Sequence, residues 1–361
     1  MAEIVNRYRP RRVSPPGGTL QDLLAQRGMA QNELAERMGL TAKAVNEIAK
    51  GKSSITPDTA LKLERALGMP ADFWLAREQH FQAWLARQRA EKEQGKRVAW
   101  LTKLPVRELI KAGAVRPCSE KAEQVGELLR FFGVASTKAW EEVYASPQAA
   151  FRRSGKFECD VGATAAWLRL GERAAQAVKT EPYVAERFLE VLRDAVPLTR
   201  RPVREAMDEL RASCASVGVA LVLVREVGGC RASGVTRWLT PSKALVQLSD
   251  RHKTEDHLWF TFFHEAGHIL LHKKKEVFLE GGRDGGAEER EADRFAQRML
   301  VPDDAYRELQ DGGAFSSPII EGFSERHRVA PGIVVGRLQH DKAIPFNALR
   351  HLQRRFEIPD A

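Results

Sequence analysis

The stretch "FTFFHEAGHILLH", residues 260–272, decides how the C-terminal half of this chain is read. Two histidines, His264 and His268, lie four apart, with Glu265 directly after the first. Residues i and i+4 share one face of a helix, so both imidazoles can address a single ion. Glu265 projects beside them and is placed to serve as general base toward a water molecule. A catalytic ion needs a third protein ligand and one open position. The segment "EEREADRFA", residues 288–296, offers that ligand on a following helix. Glu289 and Asp293 are again four apart. Glu289 is expected to bind the ion, and Asp293 to accept the free ring N–H of a ligating histidine and so fix its tautomer.

Glu288 and Glu291 are the neighbouring alternatives. Glu289 is favoured because it shares a face with Asp293, at the edge of the apolar face made by Ala292, Phe295, Ala296, Met299 and Leu300. Gly267 would let the two helices approach closely. His272 continues the four-residue spacing but is expected at the helix end, outside the ligand set. His252 and His257 stand too far along the helix axis to share an ion with Glu289. They and Tyr306 are candidates to stabilise a tetrahedral intermediate. The bland alternative is a pair of core histidines bonded to backbone.

Outward from this motif the texture is mixed. "VGVALVLV" (217–224), "SGVTRWLT" (233–240) and "KALVQLSD" (243–250) read as strands, the last two joined by a turn at Pro241-Ser242. Helices are expected at 254–272 and at about 288–300, separated by the Gly-rich loop "EGGRDGGAE". Two short helices flank "HRVAPG", and the chain closes on the basic segment "LRHLQRRFE".

The N-terminal part is different. Apolar stripes at helical spacing run from Thr19 to about Gln88, with Gly28, Gly39, Gly51 and Gly68 at helix ends. Five short helices result, the last from Pro70 to Gln88. Within them "MAQNELAERMGLTAKAVNEIAKGK" reads helix, tight turn, helix. Gln31 opens the first helix, Gly39 makes the turn, and Thr41 caps the second. In such motifs the second helix enters the DNA major groove. Lys43 is suited to guanine and Asn46 to adenine. Gln31, Thr41, Lys50 and Lys52 are suited to phosphates. Charge agrees: residues 1–97 hold 17 Lys+Arg against 11 Asp+Glu, which is most of the net +9. "RQRAEKEQGKR", residues 87–97, reads as a helix end plus linker. Residues 98–213 read as mostly helical, broken at Pro105, Gly133, Pro147, Pro182, Pro197 and Pro202.

Composition excludes other classes. Hydrophobic content of 43% and charged content of 29% suit a globular protein. No apolar run is long enough to span a membrane. The first residues have no apolar core and are not read as a secretory signal. Cys118, Cys159, Cys214 and Cys230 form no C-x-x-C pair or disulfide framework, which fits a cytoplasmic protein with reduced thiols.

Two family resemblances follow from these residues. "LAERMGLTAKAVNEIAKGKSSITPDTALKLERALGMPADFWL" resembles the HigA-like branch of the XRE helix-turn-helix regulators. "HEAGHILLH" with "EREADRFAQRMLVP" resembles the ImmA/IrrE metallopeptidases. The resemblance implies a gluzincin-like site, with His264, His268 and Glu289 as zinc ligands and Glu265 as general base. A His-His-Glu set also accepts manganese. Family members characterised as proteases cut a repressor partner after a stress or mobile-element signal, and this chain departs from them by carrying its own helix-turn-helix module.

The expected fold is therefore multidomain and mainly α. A five-helix DNA-binding bundle (1–88) is followed by a linker and helical connector (89–212), an α+β metallopeptidase domain with a small sheet (213–310), and a helical, basic tail (311–361). The expected function is DNA-binding transcriptional regulation coupled to zinc-dependent cleavage of a repressor or antitoxin. The alternative is an antitoxin-like autorepressor whose peptidase-like domain senses or binds metal without turnover. Expected partners are a double-stranded operator, a protein substrate and a second copy of the chain, since helix-turn-helix proteins read paired half-sites.

Overall fold

The computed structural model describes residues 12–145, 160–272, 278–279 and 286–357, the pair 278–279 through its backbone alone. Residues 1–11, Cys159, the break at Pro147 and most of the Gly-rich loop lie outside the described residues. The chain divides into two compact units: Met1–Val98 with Glu120–Glu123, and Ala99–Ser119 with Gln124–Ala361.

The first unit holds five helices: α1 (Pro16–Gln26), α2 (Gln31–Met38), α3 (Ala42–Ala49), α4 (Pro57–Leu67) and α5 (Ala71–Gly95). Their apolar stripes meet in one core built on Leu20, Leu34, Val45, Leu63 and Trp74. Gly39 ends α2 at φ 61°, a left-handed conformation that costs glycine little. Thr41 then caps α3, its hydroxyl accepting from the Ala44 N–H at 3.2 Å. Buried Glu78 on α5 accepts the Ile55 N–H at 3.1 Å and ties down the turn before α4. The expected linker at 87–97 is mostly helix, since α5 runs on to Gly95. That stretch is rich in Ala, Gln, Glu, Lys and Arg, all good helix formers, and Lys96 pairs with Glu93 at 2.6 Å.

The second unit begins with short helices: α6 (Val106–Lys111), α7 (Lys121–Phe132), whose first residues belong to the other unit, and α8 (Thr137–Trp140). Then come α9 (Val161–Ala177), α10 (Ala185–Ala195) and α11 (Val203–Ala215). The sheet follows. β1 (Val219–Leu223) runs parallel to β3 (Lys243–Leu248), and β2 (Gly234–Thr240) runs antiparallel to β3. β4 (Phe278–Leu279) adds to the outer side of β2, giving the order β1-β3-β2-β4. Side chains alternate across this sheet as strand geometry requires. Val219, Leu221, Ala244 and Val246 join the main core, whereas Ala220, Val222 and Leu245 pack with Ala175 of α9.

On the main-core face lie α12 (Glu255–Leu271) and α13 (Ala287–Leu300), followed by α14 (Asp303–Asp311), α15 (Ser317–His327) and α16 (Pro331–His340). One continuous core runs through residues from Phe188 to Ile344. The basic C-terminal segment takes part in it. Arg354 pairs with Glu255 at 2.6 Å and donates to the carbonyls of Thr199, Arg200 and Arg201. Among the described residues no helix is long and apolar enough to cross a membrane.

Candidate metal centre and helix-turn-helix surface

Helix α12 is apolar over most of its surface, and its polar groups other than His257 are buried with it. The side chains of His264 and His268 are 2% and 1% exposed. A buried imidazole needs partners, and α13 brings them. His264 Nε2 and His268 Nε2 lie 3.0 Å apart. Glu289 places Oε2 3.3 Å from the first and Oε1 3.5 Å from the second. A tetrahedral ion bonded at about 2.0–2.1 Å holds neighbouring donors roughly 3.3 Å apart. The three donors therefore stand at the spacing such an ion imposes, and His264, His268 and Glu289 could hold one. Their chemistry, two imidazoles and a carboxylate, suits zinc and also manganese.

The other ring nitrogens are also engaged. Asp293 Oδ1 lies 2.8 Å from His264 Nδ1. A carboxylate only accepts, so with an ion bound at the centre His264 would donate from Nδ1 and keep its Nε2 lone pair for the ion. His268 Nδ1 meets His272 Nδ1 at 2.9 Å, and His272 Nε2 faces Glu291 Oε2 at 3.4 Å. Sequence reasoning set His272 aside. The structure brings its ring against a candidate ligand, and the repeated four-residue spacing was the available signal. Burial would raise the Glu289 carboxyl, but the hydrogen bonds of His264 and His268 outweigh it and hold the group down at about 2. Burial pushes His268 below the usual imidazole range, against the pull of Glu289.

Glu265, the next residue around the helix from His264, is fully buried. The sheet forms its roof: Thr236 on β2 donates its hydroxyl to the Glu265 carbonyl at 3.0 Å. A Cβ added at Gly234 would lie 2.6 Å from Glu265 Oε1 and 2.5 Å from Thr261 Cγ2. β2 can cross here only because that position has no side chain. Opposite, Gly267 faces Ala292 and Phe295 of α13, where an added Cβ would meet both at 3.1–3.5 Å.

The remaining candidates lie farther off. Tyr306 is 5% exposed, its hydroxyl donates to Asp341 Oδ2 at 2.8 Å, and Arg337 lies 3.8 Å over its ring. His252 and His257 stack edge to face at 4.3 Å and line a cavity beside the centre.

In the first unit Thr41, Lys43, Lys50 and Lys52 are exposed, while Gln31 and Asn46 are half-buried. Lys43 and Asn46 belong to α3, the second helix of the motif, with Thr41 and Lys50 as its caps.

The folds and sites together define a protein in which a helix-turn-helix bundle is joined to an α+β unit bearing a His-Glu-x-x-His helix. Comparison with known families agrees. The helix-turn-helix family HTH_3 matches residues 20–74, and Peptidase_M78, the IrrE N-terminal-like domain, matches residues 233–338. The chain thus carries an XRE-type helix-turn-helix region in its N-terminal part and an IrrE/ImmA-like peptidase-family region in its C-terminal part. Among solved structures it is similar to a Nostoc punctiforme protein described as an antidote of a plasmid maintenance system, at 30% identity over 24% of this chain and 93% of that one, TM-score 0.23. It is also similar to a HigA-family addiction-module antidote from Coxiella burnetii, at 31% identity over 24% and 94%, TM-score 0.22. A third is the Pseudomonas aeruginosa antitoxin HigA with the higBA promoter, at 25% identity over 23% and 90%, TM-score 0.22. No curated protein matches the chain.

Proposed function

We propose that this chain is a cytoplasmic, DNA-binding regulator whose C-terminal unit is a zinc-dependent endopeptidase acting on a repressor or antitoxin protein. The observation that carries the reading is the convergence of His264 Nε2, His268 Nε2 and the Glu289 carboxylate, with 3.0–3.5 Å between donors, on the helix that also bears buried Glu265. A zinc ion there would supply Lewis acidity toward a peptide carbonyl and toward water. The protein's own groups do the rest. Asp293 and His272 orient the two imidazoles. Glu265 accepts the proton of the attacking water and returns it to the departing amine nitrogen, so the peptide bond breaks with no net proton change. Burial under β2 keeps bulk water from the carboxylate and strengthens its electrostatic role.

In the first unit, α3 would lie in the major groove. Lys43 and Asn46 meet base edges while Gln31, Thr41, Lys50 and Lys52 hold phosphates. Two copies would bind paired half-sites of an operator. The module would then deliver the peptidase to the promoter at which its substrate sits.

The test is co-expression with helix-turn-helix repressors encoded nearby, comparing the natural chain with Glu265→Gln. Cleavage of a repressor by the natural chain alone supports the proposal. Equal survival of every partner in both backgrounds sinks it in favour of an autorepressor that holds metal without turnover.

A further inference from the structure

A cavity of about 250 Å³ opens beside the metal centre, in the groove between α12 and α13. It is reached by following α12 toward its N-terminus and α13 toward its C-terminus. Phe260 forms one wall, and its ring lies 6.3 Å from that of His264. Thr261 lines it as well, and shares with Glu265 the space beneath Gly234. Leu300, Val301 and Ile333 make the rest of the wall apolar. Small-molecule sites run to roughly 300–1,000 Å³, so this one suits a single side chain better than a whole cofactor.

One lining residue does not fit an apolar pocket. Asp256 is 6% exposed, and its Oδ1 has no hydrogen-bond partner among the described residues. Oδ2 accepts from Gln353 Nε2 at 3.0 Å. His257 Nδ1 stands 3.7 Å from Oδ2, too long for a hydrogen bond. A buried carboxylate oxygen without a donor is unfavourable, and it marks the chemistry missing from the site. Oδ1 is shielded from solvent, while Asp256 as a residue belongs to the cavity lining.

The other cation in the lining, Arg337, is turned to other partners. Its Nη atoms donate to the carbonyls of Gln297 and Val301 and to Asp303, its guanidinium lies over the ring of Tyr306, and its Nε, without a hydrogen-bond partner among the described residues, stands 4.0 Å from Asp341 Oδ2. His252 is pushed down to about 4 by burial, then by His257 and Arg251, so it is neutral at pH 7. What the cavity lacks is a cation on an apolar stem.

We propose that this cavity receives an arginine or lysine side chain of the polypeptide lying in the groove, its alkyl stem against Phe260, Leu300 and Ile333 and its charged head on Asp256. The assignment of the occupant to a substrate rests on the peptidase reading of the adjacent centre. It makes Asp256 a specificity residue that selects a basic residue at one fixed position near the scissile bond.

The first arm of the test is independent of cleavage. The full-length protein is titrated with n-butylguanidinium and with neutral n-pentanol, following the ring NMR signals of His252 and His257. Butylguanidinium should move those signals and bind at least tenfold more tightly than pentanol, and Asp256→Asn should abolish that preference. Equal binding of the two probes overturns the proposal. That comparison needs no variant, so it stands even if Asp256→Asn does not fold. The second arm incubates the zinc-loaded protein with a mixed peptide library. Cleaved bonds flanked at one position by Arg or Lys support the assignment. Cleavage without that bias leaves the cavity a site for free cations only and overturns the substrate role. Absence of any cleavage overturns the peptidase reading, and with it the substrate as occupant, while the probe titration still decides the chemistry of the cavity.

Discussion

His272 Nδ1 lies 2.9 Å from His268 Nδ1, one turn along the same helix. With an ion bound at His268 Nε2, its Nδ1 would carry the proton and His272 would accept it. His272 thus does for His268 what Asp293 does for His264. Partners of this kind typically change metal affinity about 10–100-fold. His272→Ala should weaken zinc binding by about that factor, measured by competition with a chromophoric chelator. His272→Asn, whose amide oxygen can still accept, should recover part of the loss. Unchanged affinity in the alanine variant would exclude the role.

Gly234 fixes how closely β2 can pass over Glu265. Gly234→Val puts methyl groups into space already held by Thr261 and the Glu265 carboxylate. Overpacking of this kind costs about 1–3 kcal/mol. The expected outcome is a lower urea midpoint and loss of cleavage, with the zinc stoichiometry of the folded protein retained. A variant as stable and active as the natural chain would show that the sheet yields at this point.

DNA binding should separate into two kinds of contact. Lys43→Ala with Asn46→Ala should weaken operator binding and relax sequence preference, by about 1–3 kcal/mol for each well-made base contact. Lys50→Ala and Lys52→Ala should weaken binding to all sequences and flatten the dependence on salt. Thr41→Ala removes the cap on the Ala44 N–H and should cost the isolated stability of the bundle about 1 kcal/mol. Fluorescence anisotropy at several salt concentrations and thermal melts distinguish these effects.

Acid should destabilise the metal-free protein in a defined window. The folded-state pKa of His268 lies below its ordinary 6.5. Below that value the unfolded chain takes up a proton that the folded chain resists. Stability is therefore complete above about pH 6.5 and falls as pH drops through it. His252, held down near 4, acts in the same sense. Glu289, held down near 2, adds a loss of the same sign lower down, as pH falls toward and below its ordinary 4.5. Zinc needs neutral imidazoles, so its stabilising effect should fade over the same window. Thermal melts from about pH 8 to about pH 5, with zinc or with chelator, would show this. A metal-free melting temperature that is flat or rises toward acid would contradict it.

Local periodicity made much of the architecture legible. The i, i+4 pairs at His264/His268 and Glu289/Asp293 fixed which side chains could share a face. Gly39 and Thr41 marked a turn and a cap by their own conformational preferences. Non-local features were hidden. The parallel pairing of β1 with β3 joins Val219 to Ala244, and no local pattern records such a partnership. β4 is two residues long, too short for an alternation to register. His272 sits at the helix end as its position predicted, and its partnership with Glu291 was hidden because only the crossing of α13 brings Glu291 to its far side. Asp256 was not singled out by the sequence, since its neighbours Gly336 and Gln353 lie about eighty or more positions further on.

The continuous core from Phe188 to Ile344 is longer than the family match at residues 233–338. The segment matched by the family model thus omits part of the core into which it packs. Severed at residue 233, β3 would lose its parallel neighbour β1 and expose a hydrophobic edge open to aggregation. Any recombination that transplants this centre must carry α10, α11 and β1 with it. The stretch that reads as a mere connector is, in heredity as in folding, the foundation on which the chemistry travels.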